Sequence, residues 1–332
     1  MKRILVTGGA GYIGSVLVPL LIAKGYEVKV IDKGYFGDNH LRAVAPKVQI
    51  LRRDIRSVTN ADLNGAEAII HLAALSNDPM ANFAPDLNYE INTEATMRLA
   101  RLAKKIGVRK FIFASSCSIY HLGYKNHILH RETDKVFPKE YYSHSKYLAE
   151  QAILPLAGEN FSVTVLRKGT VGGYSPRMRF DLVVNTMVKT AITQGKLVIF
   201  DGTQQRPIVD ARDAATAYWK LLQASDKKVN GQIFNLSYKN YTILKLATEI
   251  KRTVENFLSA EVPLEIKKRI RDRTYRVSGQ KLNKTLQMRP RFSVVDSTKT
   301  LLAYLREQNN FDFFKPQYYN IEQMKKLFPG LK

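Results

Sequence analysis

Cysteine is almost absent from this chain of 332 residues: Cys117 stands alone. An internal disulfide is therefore excluded, and a lone thiol fits a reducing cytoplasm, the expected location. Acidic residues are also scarce, 29 against 52 Lys and Arg, for a formal net charge of +23. No uninterrupted apolar run approaches the ~18 residues that span a bilayer, so no membrane partner is expected. Met1-Lys2-Arg3 could open a signal peptide, but only Ile4-Leu5-Val6 precede a glycine turn, too little for an export signal. Internal repeats, linkers and a low-complexity tail are missing. His121, His127, His130 and His144 crowd one region. Their spacing matches no metal-ligand pattern, and no metal is expected.

The shortage of acids makes the surface attractive to anions. A nucleotide diphosphate, a nucleic acid and a generally basic composition compete to explain it. The basic residues are spread along the chain rather than gathered in a patch or module, which disfavours nucleic acid. The length and 45% hydrophobic content allow a sizeable core, in one large domain or two small ones.

What is present is a glycine turn in a telling context. Ile4-Leu5-Val6 reads as a strand, Thr7-Gly8-Gly9-Ala10-Gly11-Tyr12-Ile13-Gly14 as a turn, and the stretch from Ser15 as a helix. Strand, glycine turn and helix N-terminus bind a dinucleotide pyrophosphate, because glycine lets the backbone approach and the helix offers unpaired N–H groups. Val28–Ile31 reads as a second strand with Asp32 at its end. A carboxylate there accepts from ribose hydroxyls and repels a 2′-phosphate, favouring NAD over NADP. Lys33 and Arg42 are the counter-signal.

Strand-like runs recur at Ile4–Val6, Val28–Ile31, Val48–Leu51, Ala68–His71, Phe111–Ala114 and Val163–Leu166, with helical patterns at Tyr12–Ala23, Asn88–Lys105 and Ser143–Leu154. This alternation predicts an α/β fold, a doubly wound parallel sheet covered on both faces. Beyond about Leu166 the pattern loosens. Helices are expected at Asp213–Ala224, Ile243–Phe257 and Thr298–Glu307, and a strand at Gln232–Leu236. Residues 1–166 are thus assigned to the cofactor domain and 167–332 mainly to a smaller C-terminal α/β substrate-binding lobe, with about 206–240 returning to the first domain.

Two segments carry reactive chemistry. Tyr142-Ser143-His144-Ser145-Lys146 should start a helix, and a spacing of four puts Tyr142 and Lys146 on one face. A neighbouring ammonium is expected to lower the phenol's pKa. Phe113-Ala114-Ser115-Ser116-Cys117 ends a strand, where a hydroxyl could hold a substrate oxygen. Cys117 has no evident base partner and is read as a packing residue.

With these motifs the chain resembles the extended short-chain dehydrogenase/reductase family, and within it the NAD-dependent nucleotide-sugar epimerases and dehydratases. The likeness runs over essentially the whole length, through Thr7–Gly14, Asp32, Asp54-Ile55, His71-Leu72-Ala73-Ala74, Asn92, Ser115-Ser116, Tyr142-x-x-x-Lys146 and Arg206-Pro207-Ile208-Val209. The resemblance implies a Rossmann-type fold and a catalytic set of Ser116, Tyr142 and Lys146. It implies NAD held by Gly8, Gly11, Tyr12, Ile13, Gly14, Asp32, Asp54, Ile55, Ala73, Ala74, Leu75 and Asn92, with Tyr142 and Lys146. A nucleotide-diphosphate sugar would meet Ser76, Ser116, Thr170, Asn185, Arg206 and Arg273, the last within the basic stretch Lys267–Arg276. Asn92 reads equally well as a buried amide satisfied by backbone. A homodimer through Asn92–Lys105 and Ser143–Leu154 is a common family interface.

Departures from the family pattern narrow the reaction. Cys117-Ser118 stand where dehydratase-like members carry Asp-Glu, which disfavours elimination of water, and the glutamate of the decarboxylase-like members is missing. Thr170 replaces an asparagine, Gly172-Gly173 an aromatic-glycine pair, and Asp210 a histidine. An epimerase acting through a 4-keto sugar is the leading expectation. A 4-ketoreductase or dehydrogenase, and a non-catalytic RNA-binding relative of the fold, are the alternatives.

Overall fold

Ile4, Leu5 and Val6 are all buried although successive strand residues point to opposite sides. A strand apolar on both sides requires a sheet covered on both faces, and that is the architecture found. The structure, a computed structural model, describes residues 2–121, 128–268, 273–308 and 311–330. Seven strands form the main sheet: β1 (Arg3–Thr7), β2 (Glu27–Asp32), β3 (Val48–Arg52), β4 (Ala68–His71), β5 (Lys110–Ser116), β6 (Ser162–Lys168) and β7 (Gln232–Leu236). Their spatial order is β7-β6-β5-β4-β1-β2-β3. Every pairing is parallel.

The helices divide between the two faces. On one, α1 (Gly14–Ala23) lies beside α4 (Ala211–Gln223), and Leu17, Leu21, Ala214 and Tyr218 meet Ile4, Val6, Val28, Val30 and Ile112. On the other, α2 (Ala95–Lys105) and α3 (Tyr141–Ile153) bring Leu99, Ala103, Ala149 and Ile153 against Leu5, Ile69, Phe111, Phe113 and Val163. This is a Rossmann-like doubly wound fold. A further cluster outside the sheet gathers Phe180, Val184, Val188, Leu246, Ile250, Leu301 and Leu302.

Local details depart from the sequence pattern. The first helix begins at Gly14 rather than Tyr12. The stretch expected as one helix over Asn88–Lys105 contains a π-helical turn, Glu90–Glu94, with Asn92 inside it; such turns gather at functional sites. Gln232–Leu236 is the last strand of the sheet, whereas Gln205–Asp210 pairs with Thr170–Gly172 and Lys239–Thr242 in a separate three-stranded sheet. The order of strands reverses between β1 and β4, and ligands bind at such a switch point. Thr7 pairs there with both Ile31 and His71, while Ser116 pairs with Lys168, so these strand ends share one edge.

His71 locks that edge from beneath. Its Nδ1 lies 2.6 Å from Thr7 Oγ1 and its Nε2 2.8 Å from Thr96 Oγ1. Burial, with the Lys146 charge adding, pushes its pKa down to about 3, so the folded ring is neutral where an unfolded one begins to protonate. Stability from this group is whole above pH ~6.5 and drains as pH falls toward about 3, at up to about 1.4 kcal/mol per pH unit. Urea unfolding at pH 7.5, 6 and 5 should show this slope in the wild type and a shallower one in His71→Gln; equal slopes would place its source elsewhere.

Candidate active site

At the switch point three backbone segments cross without room for side chains. Gly8 has φ +71°, and a Cβ on it would lie 2.6 Å from the Ala73 nitrogen. A Cβ on Gly14 would lie 2.5 Å from the Gly8 and Gly9 carbonyl oxygens. The turn, the first turn of α1 and the chain leaving β4 are therefore packed backbone on backbone. Gly8, Gly11, Tyr12, Ile13 and Gly14 line a cleft of about 360 Å³. The Ser15, Val16 and Leu17 N–H groups of α1 are taken by the Gly11 and Ile13 carbonyls, and the positive end of the helix dipole suits an anion there. Asp32 is fixed at the end of β2 by Ala10 N–H at 3.1 Å and Gly34 N–H at 2.8 Å, and burial pushes its carboxyl up. Asp54 and Ile55 line the same end, with Asp54 accepting from the Arg56 N–H at 2.9 Å. A cradle closed to Cβ atoms, a helix N-terminus and a placed carboxylate fit the pyrophosphate and ribose of NAD.

Ser116, Tyr142 and Lys146 line the cleft around the end of β5. The Ser116 side chain favours the ionised form of Tyr142. Ser116 Oγ accepts from the Ser118 hydroxyl at 2.9 Å and the Ser118 N–H at 3.2 Å. With both lone pairs engaged, Ser116 has its own proton to donate. Lys146 is buried, its Nζ 4.8 Å from the centre of the Phe113 ring. The expected lowering of the Tyr142 pKa by Lys146 is not what the structure shows. Burial and the Asp78 carboxylate push the phenol up, against Ser116 and Arg179. Lys146 is itself held well below the usual ammonium range by burial and by Lys168.

Behind these groups lies a buried ion pair. Glu150, two turns beyond Tyr142 on α3, is fully buried and grips Arg167 of β6 through Nε at 3.0 Å and Nη2 at 2.6 Å. It also accepts from the Ser115 hydroxyl. Arg167 in turn donates to Tyr120 Oη at 2.7 Å.

The remaining sequence-assigned residues fall into two groups. Ala73, Ala74, Leu75, Ser76, Thr170, Arg206 and Arg273 line the cleft. Ser76 Oγ accepts from Arg179 at 3.0 Å and Asn320 at 2.9 Å, which frees its proton. Arg206 donates to the Gln205 and Arg273 carbonyls and Arg273 pairs with Asp78. Asn92 and Asn185 do not line the cleft. Asn92 clasps Leu75, accepting from its N–H and donating to its carbonyl, both at 2.9 Å, and so shapes the wall. Asn185 holds the Gly173 N–H at 2.9 Å and donates to Tyr12 Oη at 3.1 Å.

Sequence reasoning missed Lys168, Arg177, Arg179 and Tyr275, all of which line the cleft. A signal for Lys168 was available, since it ends a strand at the same edge as Ser116. Arg177 and Arg179 follow a proline in a loop with no helical or strand pattern to place them. Among the described residues no group of His, Cys, Asp or Glu could hold a metal, and no helix is long and apolar enough to cross a membrane. His127 and residues 269–272 of the basic stretch lie outside the described residues.

Known proteins share this arrangement of sequence and fold. The profile of the NAD dependent epimerase/dehydratase family matches residues 4–237. A UDP-N-acetyl-alpha-D-glucosaminuronate decarboxylase of Bacillus cytotoxicus is 29% identical, over 93% of this chain and 99% of its own. A UDP-glucose 4-epimerase of Lactobacillus helveticus is 29% identical, over 75% of this chain and 81% of its own. The fold is that of the UDP-glucuronic acid 4-epimerase from Bacillus cereus, solved in complex with UDP-glucuronic acid and NAD. The TM-score is 0.79 at 24% identity, covering 92% of this chain and 99% of that one.

The buried pair makes a stability prediction. Glu150→Ala strands the Arg167 guanidinium without a counter-charge and should cost about 3–5 kcal/mol in urea unfolding. Glu150→Met combined with Arg167→Met removes both charges and should recover most of that loss; a double variant as unstable as the single would deny the ion pair this role.

Proposed function

The chain belongs to the NAD dependent epimerase/dehydratase family, and we propose that it is a nucleotide-sugar epimerase acting through a transient 4-keto sugar. The observation that carries this reading is the convergence of Tyr142, Ser116 and Lys146 at one end of a cleft whose other end is the glycine cradle. Family members depend on NAD, which when bound accepts a hydride from the sugar and returns it. The chain's own residues manage protons and orientation.

Tyr142 Oη takes the proton of the C4 hydroxyl as that carbon is oxidised, and returns it when the ketone is reduced on its opposite face. Ser116 donates its proton to the oxygen that gains charge, because Ser118 already occupies its lone pairs. Lys146, one turn along α3 and lining the same cleft, would hold the ribose of NAD, and the phenol's ionised form is favoured only where charge supplied with the bound cofactor offsets the burial that raises it. Elimination of water would need an acid and a base beside Ser116. Cys117 is instead wholly buried with its Sγ 3.1 Å from the Arg167 carbonyl, and Ser118 is committed to Ser116. This favours epimerisation over dehydration.

Incubation with a panel of nucleotide sugars, read by NMR, should give a C4 epimer without added oxidant. Tyr142→Phe should lower turnover at least ~10²-fold while NAD stays bound, the loss expected for an acid–base group. Stoichiometric NADH in the ultraviolet would identify a dehydrogenase instead, and unchanged turnover would remove Tyr142 from the reaction.

A further inference from the structure

The cations of the cleft differ in whether a carboxylate already answers them. Arg179 is forked onto Asp181, with Nε and Nη2 each 2.8 Å from a carboxylate oxygen. Arg273 is paired with Asp78. Lys168 has no such partner. Its Nζ donates to the Ser115 carbonyl at 2.8 Å, and among the described residues no carboxylate lies within ion-pair distance of it. An ammonium has three donors and only one is used. After burial, Cys117 favours its proton and Arg179 disfavours it, and Lys168 in turn disfavours that of Lys146.

Its place decides what it can meet. Lys168 ends β6 in register with Ser116 at the end of β5, and both line the cleft. Neighbouring strands lie about 4.8 Å apart, and Tyr142 lines the same cleft as Ser116 and Lys168. Lys168 therefore stands at the strand end next to Ser116, one of the groups proposed to meet the ring oxygen. We propose that Lys168 receives a carboxylate carried by the sugar ring, so that the substrate class of this site is the nucleotide uronates rather than the neutral nucleotide hexoses. The assignment rests on the epimerase reading for the position of the ring.

An incoming carboxylate supplies the counter-charge that the site lacks, whereas a hydroxymethyl group in the same place leaves the ammonium unanswered. Burial holds the Lys168 pKa down to about 8. Uronate binding should then weaken as pH rises through that value, because the ammonium loses its proton, while binding of a neutral sugar should not.

Calorimetric titration of the NAD-loaded protein with UDP-glucuronate and with UDP-glucose tests this without turnover. The wild type should bind the uronate at least ~10-fold more tightly, as a desolvated charge pair allows. Lys168→Met should abolish that preference by weakening the uronate alone, and Lys168→Arg should keep it. Equal affinities in the wild type, or equal weakening of both sugars in Lys168→Met, would overturn the proposal and leave Lys168 as a brace for the Ser115 carbonyl. A uronate preference that depends on Lys168, together with undiminished turnover in Tyr142→Phe, would uphold the anion site and overturn the epimerase mechanism.

Discussion

The Glu150 carboxylate fastens the end of the cleft lined by Ser116, Tyr142 and Lys146. It sits on the same helical face as Tyr142 and Lys146, because positions four and eight apart stack along a helix. From there it reaches the Ser115 hydroxyl on β5 and the Arg167 guanidinium on β6. Each of these is the sequence neighbour of a residue in the cleft, Ser116 in one case and Lys168 in the other. One buried anion thus sets the spacing of α3, β5 and β6. Burying the pair costs desolvation that its attraction offsets only with good geometry. The geometry is good, since Arg167 meets both carboxylate oxygens and its remaining Nη1 finds Tyr120. What the pair adds is position more than stability.

The opposite end is held by steric exclusion rather than charge. Gly8 and Gly14 let three segments cross at distances that a single Cβ would forbid, and so the cradle's shape is set by backbone alone. Between the two ends the cleft carries Lys33, Arg53, Lys146, Lys168, Arg177, Arg179, Arg206 and Arg273 against Asp32, Asp54 and Asp78. Part of the +23 excess is therefore concentrated where low-dielectric walls focus its field on a concave surface. A ligand with several negative charges gains most from such a site, as a dinucleotide and a nucleotide sugar do.

Elements with strong local signals were legible in the sequence. β1, the glycine turn, Asp32 and β4 follow from apolar runs and backbone chemistry that act within a few residues, and α3 from the face shared by Tyr142 and Lys146. The second half was harder. Gln205–Asp210 has the composition of a sheet strand, but its pairing with Thr170–Gly172 and Lys239–Thr242 is a matter of contacts distant in sequence. The helix at Val294–Arg306 starts four residues before the expected Thr298, although Ser293 and Asp296 form a capping box that could have been read. The Tyr142 environment failed for a different reason. Lys146 lies on the right face, but burial and the Asp78 carboxylate, set elsewhere in the chain, push the phenol up, and Lys146 is itself held well below the usual ammonium range.

Asn185 shows how a residue outside the cleft still governs it. Tyr12 Oη donates to the Gly173 carbonyl at 2.5 Å and accepts from Asn185 at 3.1 Å, which ties the glycine turn to the loop after β6. The same loop adds the Ser175 hydroxyl, 2.9 Å from Ser15 on α1 and 2.7 Å from the Tyr12 carbonyl. Arg177 then stacks 3.8 Å from the Phe36 ring centre and donates to Asn320 at 2.7 Å, while Asn320 reaches Ser76 beyond β4. Burial lowers the Arg177 pKa to about 9, a cost the fold bears to keep a cation over the Asp32 end. These contacts run from the cradle through the loop to the wall that carries Ser76 and back. A chain of buried hydrogen bonds of this kind favours one arrangement of the walls. In such a cleft selectivity would come from the fixed charges that line it, among which Arg179 and Arg273 already face carboxylates while Lys168 donates to the Ser115 carbonyl.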